Sequence, residues 1–276
     1  GYSYRRLVEF PQPAFDFNFR TIQGLLQLEQ ELSNTDTSRW TAAAGISINR
    51  SSSFEGNKSI KLDLGGGADG YLKSGNLKLS TNISQRLERS TWNANLYFLQ
   101  GLAGVTKSSH RNYHDLQGSN IGEARAIGGL LDVNLLLSPE LVWTGRAAGQ
   151  HAFSPLPSNM HFTLGSDVGL LGLPGSLVSG DSGWLGISEL TWTAWKDGRK
   201  ALQLVPFIGM GGIQTNVQGI ELDDNIGSGG ILARYITGRW QLELGWVDTF
   251  QTDDNPGLWN NWVLGHGLHT KLRYTF

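Results

Sequence analysis

The sequence predicts an all-β chain that crosses a membrane as an antiparallel β-barrel. Three observations predict it. Strand-length segments alternate apolar and polar side chains with the period of two that a pleated strand imposes. In the last of them Leu264, Leu268, Leu272, Tyr274 and Phe276 share one face, broken only by His266 and Thr270, and Gly265, Gly267, His269, Lys271, Arg273 and Thr275 share the other. The connections between such segments alternate long and short when followed back from Phe276. Most of the ten tryptophans fall at strand ends, where amphipathic rings suit a headgroup layer.

Thirteen strands are expected, near residues 2–10, 15–32, 39–50, 58–64, 74–85, 91–101, 122–137, 141–153, 183–195, 201–213, 227–236, 240–248 and 264–276. In the second, Phe15, Phe17 and Phe19 alternate with Asp16, Asn18 and Arg20, and Leu26, Leu28 and Leu32 keep an even spacing. In the third, Trp40, Ala42, Ala44, Ile46 and Ile48 oppose Arg39, Thr41, Ser47 and Asn49. Ile60, Leu62 and Leu64 oppose Lys61 and Asp63 in the fourth. Leu77, Leu79, Thr81 and Ile83 oppose Lys78, Ser80, Asn82 and Ser84; Trp92, Ala94, Leu96 and Phe98 oppose Asn93, Asn95 and Tyr97. Near the end, Trp240, Leu242, Leu244 and Trp246 oppose Gln241, Glu243 and Gly245. No helical period is sustained.

The long connections are 249–263, 214–226, 154–182 and 102–121; the short ones are 237–239, 196–200, 138–140 and 86–90. Outer-membrane barrels place short turns in the periplasm and long loops outside, whereas a soluble sandwich has no reason to alternate in this way. An odd strand count conflicts with the even number of single-chain bacterial barrels. An open edge in lipid would leave backbone groups unpaired at several kcal/mol each. Either one strand is misplaced or strands precede Gly1.

Composition agrees. A chain of 276 residues can form one large domain. The net charge of −2 offers no basic surface for nucleic acid, and the absence of cysteine removes disulfides and thiolate metal sites. Mean hydropathy of −0.23 fits a wall with one polar face. No apolar run reaches the roughly 18 residues of a membrane helix. No signal peptide is visible, and a start at Gly1 rather than Met is expected of a processed chain or of part of a longer one.

Between residues 150 and 192 runs a stretch that reads Gln150-His-Ala-Phe-Ser-Pro-Leu-Pro-Ser-Asn-Met-His-Phe-Thr-Leu-Gly165, then Val168-Gly-Leu-Leu-Gly-Leu173, Leu177-Val-Ser-Gly-Asp-Ser-Gly-Trp184 and Glu189-Leu-Thr-Trp192. It resembles the outer-membrane transporters of two-partner secretion, the FhaC/ShlB-like family. Their pattern passes from a Leu-Gly-Gly strand end into a loop with Val-Arg-Gly-Tyr/Phe, then Ser-Gly-Asp-x-Gly and a strand with Glu-Leu. Pro206-Phe-Ile-Gly-Met-Gly211 is similar to the family's Pro-Phe-x-Asp-x-Gly strand, and Trp92–Gly101 to another family strand. The resemblance implies the C-terminal part of a 16-stranded barrel in the cell outer membrane. Residues 1–276 would then be an N-terminally incomplete translocator domain from which the periplasmic POTRA domains are absent. It implies a secreted exoprotein as partner, along with membrane lipid and the outer-membrane assembly machinery, for which the aromatic end at Tyr274 and Phe276 is the expected signal. No cofactor is implied.

The resemblance also carries a departure. The family's loop arginine falls at Leu171, and the wall aspartate it pairs with falls at Gly209. Losing both together is self-consistent, because a lone buried charge is costly. Either the loop still folds into the lumen and is held by packing of Leu170, Leu171 and Leu173, which is the expectation, or it is unlocked. The lumenal loop motif is therefore Gly165, Leu170, Leu171, Gly172, Leu173, Ser179, Gly180, Asp181 and Gly183. Asp181 is its sharpest polar residue, with a simple turn as the plain alternative. Glu189, Gly209, Gln241, Glu243, Lys271 and Arg273 are expected to face the lumen, with Asn93 and Asn95; for Glu189, solvation in a wet pore competes with a structural role.

No other chemistry stands out. His110 and His114 lie four apart in a polar loop, and His266 and His269 point to opposite faces, so no metal set is expected. Asp223-Asp224 and Asp253-Asp254 read as solvated loop charge rather than calcium ligands. Gly65–Gly67 and Gly227–Gly230 lack the helix and lysine of a phosphate loop. Ser138, Ser154 and Ser188 have no motif-level partner, so no enzyme is expected. The leading expectation is a pore that translocates an exoprotein. The alternative is a passive porin or structural barrel, and a soluble Trp-rich binding module is a third class.

Overall fold

The computed structural model describes residues 2–9, 15–60, 69–106, 121–173, 175, 178–216, 223–251 and 267–275. Its strands are β1 (Tyr2–Glu9), β2 (Phe15–Asn34), β3 (Ser38–Glu55), β4 (Lys58–Ser59), β5 (Tyr71–Arg86), β6 (Ser90–Gly101), β7 (Arg125–Ser138) and β8 (Leu141–Ala152). There follow β9 (Phe162–Leu164), β10 (Val178–Gly180), β11 (Ser182–Asp197), β12 (Lys200–Gln214), β13 (Asp223–Thr237), β14 (Trp240–Gln251) and β15 (Gly267–Tyr274). Among the described residues, one antiparallel sheet runs β1-β2-β3-β5-β6-β7-β8-β11-β12-β13-β14-β15, every strand pairing with the next along the path. β9 and β10 form a separate hairpin. No helix among the described residues is long and apolar enough to cross a membrane, which says nothing about crossing by strands.

The pleat sorts the side chains as the alternation requires. On β3, Ile46 and Ile48 are exposed while Thr41, Ser47 and Asn49 are buried. On β14, Leu244 and Trp246 are exposed while Glu243 is buried. Leu28 and Leu268, 74% and 75% exposed, show how far the outer face departs from a water-soluble surface. An apolar exterior around a polar interior inverts the order of a soluble protein and suits a sheet wrapped in hydrocarbon. Exposed Trp40, Trp192, Trp195 and Trp240 stand at the short-turn end, where the Trp240 and Tyr274 rings meet at 4.6 Å between centroids, tilted 52° to each other. Trp184 and Phe153 stand exposed at the other end.

The expected strand at 58–64 is corrected. β3 pairs directly with β5, Ile46 opposite Leu77 and Trp40 opposite Ile83, so the sheet has no place for a strand between them. Only Lys58 and Ser59 fold back on Phe54 and Glu55 as a short hairpin; residues 61–64 lie outside the described residues. Its removal leaves twelve strands on the path among the described residues, an even number. Residues 122 and 123, expected to begin the strand at 122–137, lie in the 3-10 turn Ile121–Glu123 instead. Several strands run past the apolar alternation that marked them, β3 as far as Glu55 and β5 back to Tyr71. His110, His114, Gly65–Gly67, Asp253, Asp254, His266 and Phe276 lie outside the described residues, as do the side chains of Asp223 and Asp224.

Candidate functional site

The connection between β8 and β11 turns into the barrel. Its first arm carries Leu156 and Met160, which pack with Leu99, Ala124, Ala126 and Ala152 on the walls of β6 to β8. The 3-10 turn Ser158–Met160 reaches across to β5, where the Ser74 hydroxyl donates to Asn159 Oδ1 at 3.1 Å. The hairpin of β9 and β10 then lies on the lumen face of β11 and β12. Leu164 sits where a side chain at Gly211 would project, the Phe162 ring covers Gly183, and Gly180 passes the Gln214 carbonyl too closely for a Cβ. Glycine on both layers is what lets the hairpin approach the wall.

The tip, residues 165–173, is a compact turn. Gly165 O accepts from Leu170 N–H at 3.1 Å, and Ser166 O accepts from Gly169 N–H at 3.1 Å. Gly169 and Gly172 have φ of 110° and 85°, a region that L side chains avoid, and a Cβ on Gly172 would lie 2.6 Å from Val247. The leucines between and beside these glycines point outward from the turn into the wall. Leu170 is fully buried and lies over Gly209, whose missing Cβ would stand 2.8 Å from Leu170 Cδ2. With Leu164 and Leu173 it joins Leu185, Ile213 and Ile226 in one apolar cluster. Leu171 packs instead against Val205, Phe207, Leu232 and Val247. The residue facing Gly209 is thus Leu170, one position before the leucine that the family pattern aligns with an arginine. A charged group does touch the tip, from the wall: Arg146 Nη1 donates to Val168 O at 3.5 Å, while its Nε donates to Asp132 Oδ1 at 2.7 Å. Arg146 and Asp132 are cross-strand neighbours, a relation that only the register reveals.

Asp181 ends the loop as a buried anchor, 1% exposed. Its Oδ1 accepts the Leu156 N–H at 2.6 Å, and its Oδ2 accepts the Thr215 hydroxyl at 2.9 Å and the Asn216 N–H at 2.7 Å. It therefore ties the start of the loop to the end of β12. His161 Nε2 donates to Leu156 O at 2.9 Å and stands 3.6 Å from Asp181 Oδ1; its Nδ1 is 3.4 Å from the exposed Ser179 hydroxyl. Gln150 donates to the carbonyls of Met160 and Asp181 and accepts from the Tyr97 hydroxyl. His161, Gln150, Thr215 and Asn216 carry no sequence signal for this role, since each is a common polar residue in an unremarkable context.

Below the tip lies a lumenal cavity of about 360 Å³ lined by Leu171, Glu189, Gln203, Gln241, Glu243, Lys271 and Arg273, with Leu232, Arg234 and Ile236. Arg234 donates to Glu243 Oε2 through Nε at 2.9 Å and Nη2 at 2.8 Å, and His269 Nε2 stands 3.3 Å from Glu243 Oε1. Arg234 and Gln203 are polar cavity residues that sequence reasoning missed; the pairing of Arg234 with Glu243 is again a cross-strand relation. Asn93 lies on the same face, accepting from the Ser84 hydroxyl. No group of three His, Asp or Glu among the described residues could hold a metal.

A glycine-floored wall, an in-folded loop with a Gly-Leu-Leu-Gly-Leu tip and a polar lumen form the setting for the comparisons with known proteins. The family model described as "Haemolysin secretion/activation protein ShlB/FhaC/HecB" matches residues 1–230. The chain belongs to this family. It is a family of outer-membrane β-barrel transporters of two-partner secretion, not of enzymes. Among solved structures, CdiB from Escherichia coli superposes with a TM-score of 0.77 at 13% identity, covering 99% of this chain and 48% of that one. CdiB from Acinetobacter baumannii gives 0.66 at 15% identity, covering 95% and 43%. BamA from Haemophilus ducreyi lacking POTRA domains 1-3 gives 0.58 at 11%, covering 98% and 57%. These likenesses establish the outer-membrane barrel fold. The chain spans about half the length of the CdiB structures it matches. No curated protein sequence matches it.

Proposed function

We propose that this chain forms the wall and the in-folded loop of a pore that passes a partner exoprotein across the outer membrane. The observation that carries the reading is how the loop is held. Leucines on the tip sit against wall glycines and aliphatic side chains. Such a contact can be released without separating opposite charges in a low-dielectric interior, the costly step when a buried pair breaks. The polar lumen beneath the tip suits an extended chain, whose backbone groups need hydrogen-bonding surroundings. Residues 1–276 act as one barrel unit in this reading. Its outer face meets lipid, and the aromatic end at Tyr274 and Phe276 addresses the outer-membrane assembly machinery.

Deletion of the coding sequence in the native host tests the proposal. A single exoprotein that disappears from the medium and accumulates in the periplasm is the expected result. An unchanged set of secreted proteins, with altered uptake of small solutes, would support a passive porin instead.

A further inference from the structure

The lower lumen carries a cationic strip whose charge is not neutralised among the described residues. Five charged side chains line the cavity under Leu171: Arg234, Lys271 and Arg273 against Glu189 and Glu243. Lys271 lies directly opposite Glu243 in the sheet. Glu243 is nevertheless held by Arg234 on one oxygen and flanked by His269 on the other. Arg273 lies opposite Gln241, which is neutral. Neither Lys271 nor Arg273 forms an ion pair among the described residues, and both side chains are exposed to the lumen. Once Arg234 and Glu243 cancel, two free cations face one carboxylate, that of Glu189.

The spacing narrows the ligand. Lys271 and Arg273 are two apart on one strand, so they project on the same side about 6.6 Å apart along it. An extended peptide places every second side chain on one side with the same repeat. Gln203 and Gln241, beside them, supply amide donors and acceptors for its backbone. Leu171 roofs the cavity, so the strip opens toward the short-turn end, where a chain arriving from that side meets it before the loop.

We propose that Lys271 and Arg273, with Gln203 and Gln241, form a lumenal site for an extended polypeptide bearing carboxylates at alternate residues. This names a substrate class for the pore reading and rests on it. The full chain in detergent micelles is titrated with a fluorescent Glu-Ser repeat peptide and with a Lys-Ser repeat peptide at low salt. Glu-Ser should bind and Lys-Ser should not. Lys271→Gln and Arg273→Gln should each weaken Glu-Ser binding about fivefold, the attraction of two near charges in water, while Lys271→Arg and Arg273→Lys preserve it. Equal binding of both peptides, or Glu-Ser binding unchanged by both glutamine variants, overturns the proposal. The unaltered protein gives a second reading should a variant fail to fold: Glu-Ser affinity must fall as salt rises through the range in which the Debye length shrinks from about 30 to 8 Å, and salt-independent affinity also overturns it. Conductance and secretion separate the two claims. A protein that binds Glu-Ser but neither conducts nor secretes keeps the strip and loses the pore. One that secretes its exoprotein but does not distinguish the peptides loses only the strip.

Discussion

Truncating Leu170 to alanine should release the loop tip from the wall. The side chain is fully buried between Gly209, Ile187 and the cluster of Leu164, Leu173 and Leu185. Its loss removes three carbons from an apolar site, roughly 2–3 kcal/mol at about 0.8 kcal/mol per methylene. The cavity left behind adds to this, because Gly209 has no side chain to fill it, so about 3 kcal/mol is expected. That is on the order of a 150-fold rise in the ratio of undocked to docked tip. The chain has no cysteine, which permits a clean probe. Ser228 is fully buried and flanked in the sheet by Gly209 and Thr249, both under the tip. A cysteine at Ser228 should react slowly with a water-soluble maleimide in an otherwise unaltered chain and on the order of 100-fold faster beside Leu170→Ala. A rate changed by less than about threefold, well under one kcal/mol, would refute the packing argument.

Gly209→Asp should also expel the tip, since its Cβ would stand 2.8 Å from Leu170 Cδ2 and its charge would enter an apolar socket; the same maleimide assay reads it. Because Leu170 rather than Leu171 covers Gly209, Leu170→Arg should restore slow labelling beside Gly209→Asp, and Leu171→Arg should not. Asp181→Ala leaves the buried Leu156 N–H and the Asn216 N–H without their acceptor. A loss of about 3 kcal/mol should appear as lowered heat-modifiable mobility on gels and faster proteolysis at residues 153–160. Glu243→Gln removes the carboxylate bound by Arg234 and should cost about 2 kcal/mol, less than a fully buried pair because Arg234 is partly exposed; the unfolding midpoint in urea checks it.

The sheet was legible wherever one face meets lipid, because a period of two in hydrophobicity is a direct image of a two-sided wall. Trp40 through Ile48 and Trp240 through Trp246 are such images. Strand ends were less legible, since beyond the hydrocarbon both faces meet polar surroundings; Ser51, Ser52 and Ser53 extend β3 with no alternation to announce it. Ile60, Leu62 and Leu64 alternate over a length too short to mark a place in the wall, where β3 pairs directly with β5. The loop tip was readable from its glycines and leucines. Which leucine meets which wall glycine was not, and neither were Arg146 with Asp132 nor Arg234 with Glu243, because those relations are set by register rather than by local sequence.

The account depends on one face of each wall strand lying in acyl chains and the other in water. Single cysteines at Leu268, Lys271, Leu272 and Arg273 on β15, each carrying an environment-sensitive fluorophore in proteoliposomes, test this most directly, because Leu268 and Leu272 are exposed on the outer face and Lys271 and Arg273 on the lumen face. Brominated lipid should quench the probes at positions 268 and 272, and aqueous iodide those at 271 and 273. Equal quenching at all four positions, or iodide reaching 268 and 272 while lipid reaches 271 and 273, would contradict it.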